Sequence, residues 1–237
     1  MDLLDEDWRN IRYIEQTDAL CMYAINIRPY ALKYIKKQTP EMCIAAVEQF
    51  GWVLEHVHEQ TREICLAAVK SYGGALIYVH NQTEEICMAA VKEDGRALEF
   101  VKKRSHKLRM AAVKQTFWAL DFISRKNHTY EMCMIAVKQS YIALQYMDNP
   151  PDDICMIAFK QNVEAITWIP NPTEEMCIEA VTKDYTLLQY IHNKTKKVYL
   201  AAFQNMPSMS KIINYGYLLP HSPTYELKIY LITSDPR

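Results

Sequence analysis

Apolar and polar positions along the chain recur with a period of 22 residues. The cysteines show it first. Cys21, Cys43, Cys65 and Cys87, then Cys133, Cys155 and Cys177, stand 22 apart except for one gap of 46, which is two periods plus two residues. Arg109, in LRMAAVK, fills the missing place, and Tyr199, in VYLAAF, continues the series. Nine copies therefore run from about Thr17 to Asn214. Self-similarity at so short a period is the mark of a stacked repeat.

Each copy reads T-x-E-[IM]-C-[ILM]-A-A-V-K, four or five variable residues, A-L-x-[YFW]-[IV] and a polar tripeptide. The first column is Thr17, Thr39, Thr61, Thr83, Ser105, Thr129, Pro151, Thr173 and Thr195. A hydroxyl there predicts a helix N-cap, because it accepts from an otherwise orphaned backbone N–H. Pro40 follows one cap at the first helical position, where its missing N–H costs nothing. Glutamate two residues after the cap suits the helix dipole. The position before Cys and those three and four after it are apolar, which predicts one face of a helix of about ten residues. The column three after Cys is Ala in all nine copies, from Ala24 to Ala202, and so predicts close approach between helices. Gly51, Gly73 and Gly95 fall just past the helix, where a C-terminal stop is expected. A short second helix follows. Its Leu column (Leu32, Leu54, Leu76, Leu98, Leu120, Leu144) and aromatic column (Tyr34, Tyr78, Phe100, Phe122, Tyr146, Trp168, Tyr190) are expected to face the core.

A helix pair this short cannot bury its own apolar face, whereas stacking copies makes the core continuous. The expected fold class is all-α, an α-solenoid of about nine helix-turn-helix repeats over residues 17–214. An N-terminal cap is expected at 1–16, where Ile11, Tyr13 and Ile14 mimic the second-helix pattern, and a C-terminal cap at 215–237, where YELKIYLI reads as a closing helix or strand. With neighbouring helices about 8–10 Å apart, nine layers would extend on the order of 80 Å. A parallel β-helix is the competing reading of the period, and the Ala-rich AAVK runs and the scarcity of Gly count against it.

Composition narrows the function. Only 5 of 237 residues are Gly, which argues against glycine-rich phosphate loops and turn-rich β-sandwiches. A net charge of -1 gives no global attraction for nucleic acid or anionic membranes. No apolar run approaches the roughly 18 residues of a membrane span. The acidic start, MDLLDEDW, does not read as a signal peptide.

The repeat, through Thr83, Glu85, Cys87, Ala89, Ala90, Val91 and Lys92 and their copies, resembles an uncharacterised short helical-repeat family of giant DNA viruses of amoebae and some intracellular bacteria. The resemblance covers residues 17–214. It implies a helical-repeat architecture and a viral origin, and no activity.

Seven cysteines suggest metal or disulfide chemistry, but the repeat argues for small core residues in a reducing compartment. Cysteines one layer apart are expected with Cα atoms near 9–10 Å, beyond the roughly 7 Å a disulfide spans, and no C-x-x-C pair is present for zinc. His56 and His58 form an H-x-H pair, and His58, His80 and His192 share a column; both read as solvated loop positions. No Ser/His/Asp grouping, nucleotide loop or metalloprotease motif occurs. The chain is therefore expected not to be an enzyme, and to need no cofactor or metal.

Two basic features remain. Lys70, Lys92, Lys114, Lys138 and Lys160 make a column five residues after Cys. In the last helical turn they suit the dipole, opposite first-turn Glu41, Glu63, Glu85, Glu131 and Glu175. The fifth copy breaks the pattern, with Arg109 for Cys, Lys107 for Glu, a preceding Lys102-Lys103-Arg104, and two residues inserted in the next loop near Arg125 and Lys126. Departures from local consistency are where function is expected. The expected partner-binding residues are Lys102, Lys103, Arg104, Ser105, Lys107, Arg109, Trp118, Arg125 and Lys126, at the fourth-to-fifth repeat junction. The expected function is a cytoplasmic scaffold for a protein or peptide partner, acidic where it meets that junction. The second reading is an RNA-binding helical repeat using the lysine column and the same junction. Its reading column (Tyr30, Trp52, Gly74, Arg96, Trp118, Ile142, Glu164, Thr186) mixes acidic and aliphatic residues, which favours a protein.

Overall fold

The structure is a computed structural model and describes Leu4 and residues 7–205. The expected C-terminal cap at 215–237 and the end of the ninth copy lie outside the described residues. The α-helices are α1 Asp18–Ile27, α2 Pro40–Gln49, α3 Arg62–Ser71, α4 Glu84–Glu93, α5 His106–Gln115, α6 Tyr130–Gln139, α7 Asp152–Gln161, α8 Glu174–Lys183 and α9 Lys196–Gln204. Each of the first eight is followed by a six-residue 3-10 helix, as in Gly51–His56, Gly73–Tyr78 and Gly95–Phe100. No strand occurs among the described residues, and the fold is the all-α repeat solenoid that the period predicts.

The turns are short. One extended residue, such as Tyr72 (φ -153°, ψ 111°), joins α3 to its 3-10 helix, and one extended apolar residue, such as Val79, ends that helix. The polar tripeptide 80–82 then leads to the next cap. The caps behave as the hydroxyl column predicts: Thr61 Oγ1 accepts from the Ile64 N–H at 3.3 Å and Thr83 Oγ1 from that of Ile86 at 3.3 Å. Pro151 has no hydroxyl and caps nothing.

The second element is a 3-10 helix rather than a short α-helix, and its burial pattern gives the reason. Gly73, Leu76 and Val79 are buried, three residues apart, as are Gly95, Leu98 and Val101. At three residues per turn these side chains eclipse one another and form one inward line. The aromatic column sits off that line. Tyr34, Tyr78, Phe100, Phe122, Tyr146 and Trp168 are only half-buried and Tyr190 is exposed, so the expectation that they face the core holds for the Leu column alone. The α-helices supply the rest of the core: all nine alanines three after the Cys column are 0% exposed.

Gly51, Gly73 and Gly95 are not left-handed stops, since no glycine among the described residues has a positive φ. A Cβ on Gly73 would lie 2.7 Å from the carbonyl oxygen of Ala90 in the next repeat, and one on Gly51 or Gly95 would meet Ala68 or Ala112 in the same way. In these three repeats the 3-10 helix starts so close to the backbone of the following α-helix that a Cβ would force a shift, whereas other repeats start it with Pro29, Phe117, Tyr141, Val163 or Tyr185.

The chain divides into two compact units, residues 1–136 and 137–237, the boundary falling within α6. The first opens with the 3-10 helix Trp8–Arg12, capped by Asp7, which buries Ile11 against the first repeat. Ile14 is half-buried and Tyr13 stands largely exposed, so of the three residues expected to copy the repeat Ile11 is the one fully buried. The second unit contains α7 to α9 and the 3-10 helices Tyr141–Tyr146, Val163–Trp168 and Tyr185–Tyr190.

Candidate functional site

The loop edge is built from a side chain that the repeat consensus does not single out, the residue before each cap. The Gln60 amide nitrogen donates to the carbonyl of Tyr78 at 2.9 Å, one repeat on, and its oxygen accepts from the His80 N–H at 3.0 Å. Gln16, Gln38 and Gln82 make the same clamp, Gln82 to Phe100 and Lys102. These bonds satisfy backbone groups that the end of a 3-10 helix leaves orphaned. They also tie each loop to its neighbour.

Arg104 stands in this column. Its guanidinium donates to the carbonyls of Phe122 (2.6 Å), Glu99 (2.8 Å) and Val101 (3.3 Å). A cation suits carbonyls at a helix end, so Arg104 carries the donor half of the clamp and is not a free binding residue. Arginine has no acceptor, so it offers nothing to the Ser124 N–H, the counterpart of that of Lys102. The inserted residues begin there and form an extra 3-10 turn, Arg125–Asn127. His128 closes the turn, with Nε2 donating to the carbonyls of Ile123 (3.0 Å) and Leu120 (3.2 Å).

The remaining predicted residues separate. Lys102, Lys103 and Ser105 come together in a cleft of ≈ 420 Å³ with His80, Asn81, Gln82, Glu84, Cys87 and Leu108. The Lys102 Nζ leans on the His80 carbonyl at 3.4 Å. Ser105 caps α5, its Oγ accepting from the Leu108 N–H at 3.3 Å. A cleft of ≈ 240 Å³ between Lys36, Lys37, His58 and Glu59 repeats this geometry two layers earlier, so the site is a variation on a recurring feature. Arg109 is half-buried, and its Nε is enclosed with no hydrogen-bond partner. Arg125 and Lys126 are exposed on the inserted turn. Trp118 belongs elsewhere: it stacks on Phe117 (4.8 Å) just beyond the C-terminal end of α5, and Ser105 stands at the other end. Ten residues of helix, about 15 Å, lie between them. His56 and His58 also diverge. His56 packs edge-on to Tyr30, where burial lowers its pKa, while His58 is exposed in the loop.

A second surface lies on the α-helices. Leu66, Met88 and Ala89 floor a groove of ≈ 660 Å³ whose margins are Lys70, Lys92, Glu93, Glu84, Glu85 and Lys107. The groove joins the lysine column to Lys107 of the junction, and interleaves both with carboxylates. Glu85 is also held by Arg62 of the preceding repeat. The floor belongs to a column that sequence reasoning passed over, one residue after Cys: Met22, Ile44, Leu66, Met88, Met110, Met134, Met156, Ile178 and Leu200. Every member is apolar, and every member is half- or fully exposed.

The seven cysteines are free and buried. The Cys43 and Cys65 thiols donate weakly to Gln38 and Gln60 Oε1, both at 3.7 Å. Burial, with Glu41 nearby, pushes the Cys43 thiol up to about 11. Burial with Asp152 and Asp153 does the same at Cys155. Such thiols are poor nucleophiles and poor ligands at neutral pH. Among the described residues no three His, Cys, Asp or Glu side chains gather as metal ligands, and no helix is long and apolar enough to cross a membrane.

These features define a class, an all-α repeat protein with polar clefts on its loop edge and part-exposed apolar residues on its α-helices. Comparison adds a family likeness. Residues 39–83 and, overlapping them, 61–104 match the model of a family described as a domain of unknown function (DUF4116). The two matches are offset by one period, so the family model covers two successive repeats. No curated protein and no solved structure matches the chain.

Proposed function

We propose that the chain is a non-enzymatic scaffold that binds a protein or peptide partner across its α-helices. One observation carries this reading: the column after Cys is apolar in every repeat, yet lies outside the core. Core positions are filled by other columns, so stability alone gives no reason to keep nine apolar side chains at half-exposed positions. Apolar side chains gathered at the surface, as Leu66 and Met88 are, mark an interaction site. Methionine, with its adaptable side chain, suits it. Lys102, Lys103 and Lys107 then offer acidic groups of the partner an anchor at the fourth-to-fifth repeat junction. A nucleic-acid ligand is less favoured, because Glu84, Glu85 and Glu93 share the groove with Lys70 and Lys92. The resemblance to repeats of giant viruses supports a viral protein acting in the host cytoplasm.

Affinity capture of the full chain from expressing cells, followed by mass spectrometry, tests the reading. A protein partner is expected at defined stoichiometry. Lys102→Glu with Lys103→Glu should weaken its binding at least tenfold, about 1.4 kcal/mol. Recovery of RNA instead, with retention on heparin at moderate salt, would transfer the function to the nucleic-acid reading.

A further inference from the structure

The α-helices α3 and α4 each carry three kinds of surface residue along one line. Successive residues turn by about 100°, so positions two before and five after Cys point the same way, between the columns one and two after it. In α3 this line reads Glu63, then Leu66 with Ala67, then Lys70; in α4 it reads Glu85, then Met88 with Ala89, then Lys92. All four charged side chains are exposed, and the apolar ones between them are half-exposed. Stacked, the two helices present an apolar trough, the groove floored by Leu66, Met88 and Ala89, with Lys70 and Lys92 beside Glu93 on one side and Glu63, Glu84 and Glu85 on the other, where Arg62 pairs with Glu63 and Glu85 and leaves the carboxylates in excess.

The dimensions select an occupant. Seven residues separate the charged columns, about 10 Å along the helix, which matches the roughly 10–12 Å diameter of an α-helix with its side chains. Successive layers lie about 8–10 Å apart. A residue recurring every seventh position of a straight helix advances about 10.5 Å, so one apolar side chain per heptad meets one layer.

We propose that this trough docks an amphipathic helix of a partner protein, lying across α3, α4 and α5. Its apolar stripe seats on Leu66, Met88 and Met110. An acidic flank faces Lys70 and Lys92, and a basic flank faces Glu63 and Glu85. Opposite charges on the two walls fix the direction of the docked helix, because turning it end for end sets like charges against each other. At α5 the carboxylate wall is interrupted by Lys107, so the partner's basic flank ends before that layer. The inference rests on the protein-scaffold reading and adds the partner's secondary structure, its charge order and its place.

The test uses the full chain with isotope-labelled methionine methyl groups. It is titrated with a synthetic three-heptad helix that has leucine at heptad spacing, glutamate along one flank and lysine along the other. Saturable binding is expected, with shifts at the half-exposed Met88 and Met110 methyls and none at the buried Met42 and Met132. Leu66→Glu with Met88→Glu should weaken binding at least tenfold while Ile77→Glu, on the 3-10 side, leaves it unchanged. Should the double variant misfold, Met88→Gln alone should still weaken binding. Absence of saturable binding, or a loss caused by Ile77→Glu and not by Met88→Glu, overturns the proposal. So does tenfold tighter binding of a peptide with glutamate on both flanks. A natural partner whose affinity ignores Met88→Glu would refute the trough and leave the scaffold reading intact. A peptide bound in the trough, with no natural protein partner recovered, would sink the scaffold reading alone.

Discussion

Single residues in this protein act mostly through backbone they approach, and two neighbouring glycines separate that effect from conformational freedom. Neither has a positive φ. Alanine in their place should thus stabilise slightly through the unfolded chain, if space allows. At Gly73 a Cβ meets the Ala90 carbonyl oxygen and Asp94 backbone nitrogen, which the next helix holds in place. At Gly74 the nearest atoms are those of the Tyr72 ring, the end of an exposed side chain that stacks on Trp52 at 4.8 Å and can turn away from a Cβ. Gly73→Ala should therefore lower stability by about 1–3 kcal/mol in thermal melts, and Gly74→Ala should leave the midpoint nearly unchanged; equal effects would refute the backbone contact. The clamp residues are similar in kind. Gln60→Ala strands the Tyr78 carbonyl and the His80 N–H, while Arg104→Gln restores the consensus side chain. The first should cost about 1–3 kcal/mol and the second much less. None of this was legible in the consensus, because the glutamine lies in a stretch that reads simply as polar, and its partners are backbone atoms 18 and 20 residues away. The cysteines were legible, since a small residue in one column predicts burial. Their raised pKa sets a sign. Folding favours the neutral thiol, so its contribution is complete below about pH 9, the ordinary thiol range, and is lost as pH climbs towards 11. The melting midpoint of Cys43→Ala with Cys155→Ala should accordingly fall less between pH 9 and pH 11 than that of the parent chain. Parallel curves would show that other groups dominate.

At the scale of elements, periodicity carried most of the information, and its misreadings have one cause. Apolar spacings of three and four announced the α-helices, and the hydroxyl column announced their starts. The second element held its signal in a spacing of three alone: glycine, leucine, then valine or isoleucine. A six-residue segment is equally compatible with one and a half α-turns, and that ambiguity assigned the aromatic column to the core. Three residues per turn instead rotate Tyr78 or Phe100 to the flank of the buried line, where each remains half-exposed. The residues expected at the junction do not all lie together. Lys102, Lys103 and Ser105 gather because the loop and the cap are adjacent in sequence, whereas Trp118, only nine residues from Arg109, is carried to the far end of α5. The invariant alanines give the sharpest test at this scale. Ala90 is fully buried, and its carbonyl receives both the Asp94 N–H at 2.9 Å and the close approach of Gly73. Ala90→Leu should overpack this contact and cost about 1–3 kcal/mol. A variant melting with the parent chain would show that the column is not a close contact.

Across the whole molecule, the packing is local in sequence. Within the first unit each of α1 to α5 meets its own 3-10 helix, that of the preceding repeat or of the N-terminal segment, and the neighbouring α-helices, and the Gln clamps reach just one repeat onward. Stability in such a chain is approximately a sum of repeat terms and nearest-neighbour interfaces, so a lesion should spread no further than its neighbours. Ala90→Leu strains the contacts of α4 with α3, α5 and the 3-10 helices Gly73–Tyr78 and Gly95–Phe100. Hydrogen exchange read by mass spectrometry should then show faster exchange from about Arg62 to Gln115, at unchanged rates in Asp18–Ile27 and Glu174–Lys183. This follows because local openings draw on local contacts, and protection reports the free energy of the smallest opening that exposes each amide. It also bears on binding. A partner helix lying across α3 to α5 would slow exchange in those same three helices, leaving the outer repeats as they are. A uniform rise in exchange across all the described helices after Ala90→Leu would show that the chain opens as one cooperative block, and nearest-neighbour coupling would have to be abandoned.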